Sequence, residues 1–457
     1  MRRNLRYFLL FLGMMLSVSV FAQSIKWRDI YTVKKKDTVF GIAKKYGLSL
    51  VELMDANPEM KKEGYMLQKG TTLFIPYATS NSESNKSITT LPAIGGKPVV
   101  TTSATQSSTV KVGVMLPLHD VDGDGKRMVE YYRGILLACE SLKQKGISTD
   151  IHAWNVPVDA DIRITLAKEG ANKCDIIFGP LYSKQVAPLS DFCKTYGIKM
   201  VIPFSINGDD VEHNKEIFQV YQSPETLNDA AIKAFLSRFA NVHTIFVDCN
   251  DSTSRKGNFT FGLRKELERK KINYSITNVN SSIEQFAKAF VPSKQNVVVL
   301  NTGRSPQLTA VLNKLDEFSA KYPGAVISLF GYTEWLMYAK YNLDRFYKYD
   351  TYIPSTFYYN TSSAKTTQLE LAYVKWFHQP MQIAMPRFAI TGYDHAMYFI
   401  QGVRKYGKNF AGERSQMTYQ PVQTPLNFKK TSKGGYKNTN FQLIHYTFNR
   451  QIESVNY

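Results

Sequence analysis

The chain is poor in the residues that carry most catalytic and cross-linking chemistry. It has 4 cysteines in 457 residues, Cys139, Cys174, Cys193 and Cys249, and no two of them form a C-x-x-C pair. That spacing excludes a thioredoxin-type redox motif and a zinc ribbon. The 7 histidines include no H-x-H or H-E-x-x-H order, so no close zinc pair is written into the sequence. A G-x-S-x-G run is also missing, which removes the nucleophile elbow from consideration. Negative charge is scarce: 38 Asp and Glu face 57 Lys and Arg, for a net charge of +19. Such an excess suits nucleic acid, a membrane surface or an anionic polymer as partner. Hydrophobic residues make up 44% and aromatic residues 13% of the chain, enough for packed cores and too much for a disordered protein.

The N-terminus decides among those partners. Residues 1–22 place Arg2, Arg3 and Arg6 before an apolar run from Tyr7 to about Val20, followed by Phe21-Ala22. A basic start, a short apolar stretch and a small residue before the cut are the marks of a secretory signal peptide. The run is shorter than the ~20 residues a spanning helix needs, so the mature form is expected to have no spanning helix. Export makes nucleic acid an unfavourable partner and leaves the polymers of the envelope. In an oxidising compartment the four cysteines allow one or two disulfides, with three full pairings, or four buried thiols. All four fall after residue 110, so none can staple the segment before it.

Composition divides the rest. Residues 24–77 form a compact unit. Residues 78–109 are rich in Ser, Thr, Asn and Gly with hardly an aromatic, a tether too polar to order itself. From 110 to about 406, short apolar runs alternate with amphipathic stretches. The expected strands are 111–118, 147–154, 175–178, 199–203, 243–247, 272–277, 297–301 and 326–330, and the expected helices include 129–145, 183–196, 225–239 and 306–320. Repeated βα alternation predicts an α/β fold of doubly wound parallel sheets, and the number of strands predicts two lobes. The tail 427–456 alternates apolar and polar residues, which predicts an antiparallel pair turning near 449–450.

In the small unit, Tyr31-Thr32-Val33 reads as a short strand. Asp37-Thr38 caps a helix bearing Val39, Ile42, Ala43 and Tyr46 at helical spacing. Ser49 caps a second helix with Leu50, Leu53 and Met54, and Asn57-Pro58 ends it. "LFIPY" (73–77) is the returning strand, giving βααβ in under fifty residues. The segment resembles a LysM domain, with Tyr31, Val33, Asp37, Thr38, Ile42, Ala43, Tyr46, Gly47, Ser49, Leu53, Asn57, Pro58, Leu67, Gly70, Leu73, Ile75 and Pro76 in place. Lys36 departs from the family, which commonly has Gly there. The resemblance implies binding to N-acetylglucosamine-containing glycan, here peptidoglycan, by Lys36, Asp37, Thr38, Val39 and Phe40 in one loop and Asn57, Pro58, Glu59 and Met60 in the other. The competing reading is that Asp37 and Thr38 only cap a helix and Asn57-Pro58 only stops one.

In the large unit, "VKVGVMLPL", "EYYRGILLACESL", "DIIFGPLYS", "VIPFS" and "ITGYDHAMYFIQGV" occur in order. This series resembles the type I periplasmic binding proteins of the branched-chain amino acid receptor group. The resemblance implies two lobes and three crossings near 218–223, 352–358 and 410–440. Lobe one would hold 110–220 and 358–410, and lobe two 224–350 with the tail. It also implies a cleft ligand site drawn from Tyr182, Ser183, Ser205 and Ile206 on one lobe and Ser305 and Glu334 on the other. In amino acid receptors of this group the opposite lobe supplies an aromatic and an acid that meets the α-ammonium; Ser305 stands here about where the aromatic is expected and Glu334 is the candidate acid, so the ligand set is partial. For Ser183 the competing reading is a helix cap, and for Ser205 a loop hydroxyl.

"HDVDGDGK" (119–126) matches the opening of a calcium loop at Asp120, Asp122, Asp124 and Gly125, but Tyr131 stands where the closing acid belongs. An acidic turn leading into a helix is the simpler reading, and no metal or cofactor is expected. The sequence therefore predicts a non-catalytic, exported protein of the periplasm or cell envelope. It would bind peptidoglycan through the small domain and a small ligand or an envelope protein through the large one, with a regulatory role in wall metabolism by analogy. The alternative is a solute receptor for an amino acid ABC transporter.

Overall fold

The computed structural model describes residues 27–76 and 109–457, except 36, 49, 62–64, 66, 205 and 206. The signal peptide expected at 1–22, all but the last residue of the linker expected at 78–109, Lys36, Ser205 and Ile206 lie outside the described residues. The chain divides into two compact units, 1–103 and 104–457.

The small unit runs β1 (Trp27–Thr32), α1 (Val39–Lys45), α2 (Leu50–Ala56) and β2 (Thr72–Pro76). The two strands pair antiparallel, Tyr31 opposite Leu73 and Thr32 opposite Thr72. Leu73 and Ile75 on β2 point inward and Phe74 outward, the alternation a half-buried strand requires. Tyr31, Val33, Ile42, Ala43, Leu53 and Met60 close a single core against them. A 3-10 turn at Pro58–Lys61 follows α2; proline fits there because an opening turn needs no partner for its missing N–H.

The large unit begins with β3 (Val110–Leu116), α3 (Gly123–Gln144), β4 (Thr149–Asn155), α4 (Ile162–Leu166), β5 (Ile176–Phe178), α5 (Val186–Tyr196), β6 (Lys199–Ile202) and β7 (Ile217–Gln219). The chain then crosses to α6 (Pro224–Arg238), β8 (His243–Asp248), α7 (Gly257–Arg269), β9 (Tyr274–Asn278), α8 (Ile283–Ala287), β10 (Asn296–Leu300), α9 (Ser305–Lys321), β11 (Ile327–Phe330), α10 (Trp335–Lys348) and β12 (Thr351–Ser355). It returns for α11 (Ala364–Phe377), α12 (Phe388–Tyr406), β13 (Phe428–Lys430) and β14 (Tyr436–Asn438), and crosses again to β15 (Gln442–Tyr446) and β16 (Ile452–Asn456).

Among the described residues these strands form two sheets. Lobe one has the order β13-β14-β7-β6-β5-β3-β4, and lobe two β16-β15-β12-β11-β10-β8-β9. Five parallel strands in each follow the doubly wound order in which the second strand lies outside the first. The central strands are apolar on both faces because helices cover both sides: all five residues of β10 and all four of β11 are buried. The tail differs from expectation. Its first hairpin, β13–β14, joins the sheet of lobe one, and only β15–β16 joins lobe two, turning at Arg450 with φ +60°.

In lobe one, α3 crosses α12 at unusually close range. A Cβ on Gly134 would stand 1.9 Å from the carbonyl oxygen of Ala389, and one on Gly392 would stand 2.0 Å from that of Tyr131. Glycine at both positions is what lets the two backbones touch. Large rings fill both cores: Phe218 packs on Phe399 and Phe428 in lobe one, while in lobe two Phe235 and Phe259 pack on Phe330, and Trp335 stacks on Phe346. All four cysteines are free and buried. Burial pushes the Cys139, Cys174 and Cys249 thiols up to about 12, so they stay protonated and unreactive at neutral pH.

Candidate functional site

In the small domain the expected glycan residues separate by what their side chains do. The Asp37 carboxylate accepts from the Lys34 backbone N–H at 2.7 Å and from the Tyr31 hydroxyl at 2.7 Å. Those bonds, the backbone one first, hold its pKa below the usual carboxylate range. Thr38 caps α1, accepting from the Gly41 N–H at 3.0 Å. Asn57 is fully buried, and its amide is engaged at both ends. Its Nδ2 donates to the carbonyls of Leu53 (2.7 Å) and Phe74 (2.8 Å), and its Oδ1 accepts from the Phe74 N–H at 2.7 Å. Asn57 thus fastens α2 to β2, and the Met60 side chain lies in the core. Val39 packs against that core. Phe40, at 41% exposure, and Pro58 face outward, and Glu59 is half-buried.

In the large domain the loops beyond the carboxyl ends of the strands form the crest of each lobe. In doubly wound sheets ligands gather where the strand order reverses. In lobe one that place lies between β3 and β5, and the loop after β5 carries Tyr182 and Ser183. The Ser183 hydroxyl accepts from the Asn207 N–H at 2.9 Å, tying this loop to the one after β6. Ser183 opens a 3-10 turn ahead of α5, and no side chain caps that turn or α5. The Tyr182 hydroxyl donates to Asp124 at 3.3 Å; burial first, and the Asp124 charge next, push it up to about 12. In the acidic turn, Asp122 caps α3 by accepting from the Gly125 N–H at 2.7 Å, and Asp124 pairs with Arg127. Among the described residues no group of three or more His, Cys, Asp or Glu could hold a metal ion.

In lobe two the reversal lies between β8 and β10. The loops there brace one another through residues that strand periodicity does not single out. Asp251 accepts from the Thr253 hydroxyl (2.7 Å), the Thr302 hydroxyl (2.7 Å) and the Thr253 N–H (3.0 Å), which lower its pKa. The Ser254 hydroxyl donates to the Asn301 carbonyl at 2.5 Å. Lys256 Nζ donates to Glu334 at 2.6 Å and lies 4.8 Å from the centre of the Tyr332 ring. Lys256 was missed because its partner is 78 residues away; its place in the loop after the first strand of a doubly wound sheet was the available signal. Ser305 is the first residue of α9. Among the described residues no hydrogen bond joins Tyr182 or Ser183 to Ser305 or Glu334.

Beside Glu334 lies a cavity of about 450 Å³. Its walls come from the start of α6 (Pro224, Leu227, Asn228), from Lys256 and Phe259, and from the loop after β11. The crossings supply Ser355, Thr356, Phe357 and Phe441, and the loop between α11 and α12 supplies Met385.

His445 Nε2 bonds Asp350 at 2.6 Å, but the Ser328 hydroxyl donates to that same carboxylate at 3.0 Å, not to the imidazole. This is the reverse of a nucleophile–base–acid relay. No described cysteine hydrogen-bonds a histidine. No described helix is long and apolar enough to cross a membrane.

A family model for the LysM domain matches residues 31–76. No curated protein matches the sequence. Among solved structures, the chain is similar to a putative branched-chain amino acid ABC transporter protein from Rhodospirillum rubrum, at 14% identity over 76% of this chain and 100% of that one, with a TM-score of 0.52. It also matches an ABC transporter substrate-binding protein from Desulfitobacterium hafniense at 15% identity, 76% and 100% coverage and a TM-score of 0.43. A third match is the branched-chain amino acid transporter substrate-binding protein of Streptococcus pneumoniae, solved with isoleucine, at 15% identity, 77% and 100% coverage and a TM-score of 0.39. Residues 31–76 are a LysM domain, and the chain carries with it the fold of the type I periplasmic binding proteins.

Proposed function

We propose that this is an exported, non-catalytic peptidoglycan-binding protein of the periplasm or cell envelope. The LysM domain anchors it to the wall, and the two-lobed domain binds a small ligand or an envelope protein and serves wall metabolism. The observation that carries this reading is the LysM match at residues 31–76. The glycan would lie against the loops 36–40 and 57–60, with Phe40 and Pro58 covering sugar faces and the backbone meeting acetamido groups. Asn57 and Met60 act there as supports, since their side chains face inward. Pull-down on purified sacculi, with the full chain and with residues 24–77 deleted, tests the anchor. Binding should be lost on deletion, and equal binding would defeat the proposal. Release of soluble muropeptides from the sacculi would defeat its non-catalytic part.

A second reading, a receptor for an amino acid importer, is favoured by the fold likeness to transporter proteins. Against it, Glu334, the expected acceptor of an α-ammonium, already holds the ammonium of Lys256. A thermal-shift screen with leucine separates the two, because a ligand at about 100 times its Kd adds about 2.7 kcal/mol of stability. A large upward shift with leucine would favour import; an unchanged melting temperature is expected.

A further inference from the structure

We propose that the cavity between lobe two and the crossings takes an uncharged, apolar group of the cleft ligand, and that the Lys256–Glu334 pair closes it to amino acids bound by their ammonium. This rests on the reading that the large domain binds a ligand between its lobes.

The two charged groups in the wall and the hydroxyls of Thr333 and Ser355 are already occupied. Lys256 and Glu334 neutralise each other at 2.6 Å. The Thr333 hydroxyl donates to the Pro354 carbonyl at 2.7 Å, and the Ser355 hydroxyl donates to the Phe357 carbonyl at 2.7 Å. What remains facing the space is mostly hydrocarbon and thioether: Leu227, Phe259, Met337, Phe357, Met385 and Phe441. A ligand ammonium would either displace Lys256 from Glu334, leaving a lysine unpaired, or crowd beside it, setting two cations on one carboxylate. A charged group brought in without a partner would bear the full cost of desolvation. An apolar group meets neither cost and gains from the area it buries. The volume, about 450 Å³, lies in the range of small-molecule sites. Two methionines in the wall let it adjust to the shape of its occupant.

The wall also joins both lobes. Met385 belongs to a loop held on lobe one, where the Gln382 N–H donates to buried Glu130 at 2.6 Å and the Gln382 amide donates to the Lys126 carbonyl at 3.0 Å. Met337 belongs to α10 of lobe two. An occupant touching both methionines would favour the lobe angle that presents them together.

The test uses the full chain and the uncharged fluorophore N-phenyl-1-naphthylamine. The expected result is saturable binding that excess leucine does not displace. Met337→Trp, which fills the space from a half-exposed position, should bind the probe about tenfold more weakly at an unchanged melting temperature. Glu334→Gln should change its affinity by no more than about twofold. Equal affinity in wild type and Met337→Trp would overturn the proposal. So would displacement by leucine that Glu334→Gln abolishes. If Met337→Trp fails to fold, Asn228→Trp on the facing helix makes the same measurement. Sacculus binding is read separately: its loss sinks the anchor reading, whereas a negative probe titration with intact sacculus binding sinks only this inference.

Discussion

The two lobes carry the same strand order and hold it by different means. In lobe one, β14 lies parallel to β7; in lobe two, β15 occupies the same place and runs antiparallel to β12. Lobe one is tightened by a backbone-to-backbone crossing of α3 and α12 at Gly134 and Gly392. Both cores are filled by large rings, around Phe218 and Phe399 in lobe one and around Phe330 and Trp335 in lobe two, so the close crossing is what sets lobe one apart. Their crests differ as well. Lobe one links its loops by single bonds, Ser183 to Asn207 and Tyr182 to Asp124, whereas lobe two locks three loops together through Asp251, Ser254 and Lys256. One topology therefore accepts a close helix crossing on top of ring packing, and that crossing decides where lobe one tolerates no added methyl group.

The largest effect should come from emptying lobe two. Trp335→Ala removes a fully buried ring and is expected to cost about 3–5 kcal/mol. Hydrogen exchange should accelerate in β10, β11 and β12 and stay slow in β3, β5 and β6; uniform acceleration would mean the lobes do not hold their cores separately. Next is overfilling lobe one. Gly392→Ala places a methyl against the Tyr131 carbonyl and should cost about 1–3 kcal/mol, read by urea unfolding. The same substitution at Gly257, where an added Cβ meets nothing within 4 Å, should cost no stability; equal losses at both sites would contradict the close-crossing account.

Smaller is the loss of a helix cap. Asp122→Ala should destabilise lobe one by about 1 kcal/mol, and Asp122→Ser should restore most of it, because either side chain can accept from the Gly125 N–H. The smallest effect is a surface pair in lobe two. Glu284 bonds Lys321 at 2.6 Å, and that bond first, with backbone help, lowers its pKa to about 2. A depressed carboxylate contributes stability above its unfolded pKa and loses it as pH falls toward the folded value. The melting-temperature difference between wild type and Glu284→Gln should be constant above about pH 5, shrink as pH falls toward about 2 and vanish below it. A difference that grows on acidification would refute the assignment.

Much of the scaffold could be read along the chain. The eight strands expected from 111 to 330 fall within one or two residues of their expected ends, because each is a short apolar run between helical patterns, whereas β7 lies where only a crossing is expected. Residues 31–76 fold as the βααβ unit their spacing implies, since Thr38 and the stripe at Ile42, Ala43 and Tyr46 act within one helical turn. The site was read less completely. Asn57 looks like a helix stop in sequence, and in space it bonds Phe74, 17 residues on. Glu334 looks like a ligand acid, and in space it has a lysine. The tail looked like one hairpin for one lobe, and the crossing at residues 439–441 divides it between two.

The sequence alone determined the order of elements, the polarity of their faces and the LysM unit, because periodicity and caps act between near neighbours. The tertiary structure alone decided which polar groups remain open to a partner. That depends on pairs such as Lys256 and Glu334, which meet only after the loops of three strands have come together on one crest, where an unpaired charge would cost more than the pair does.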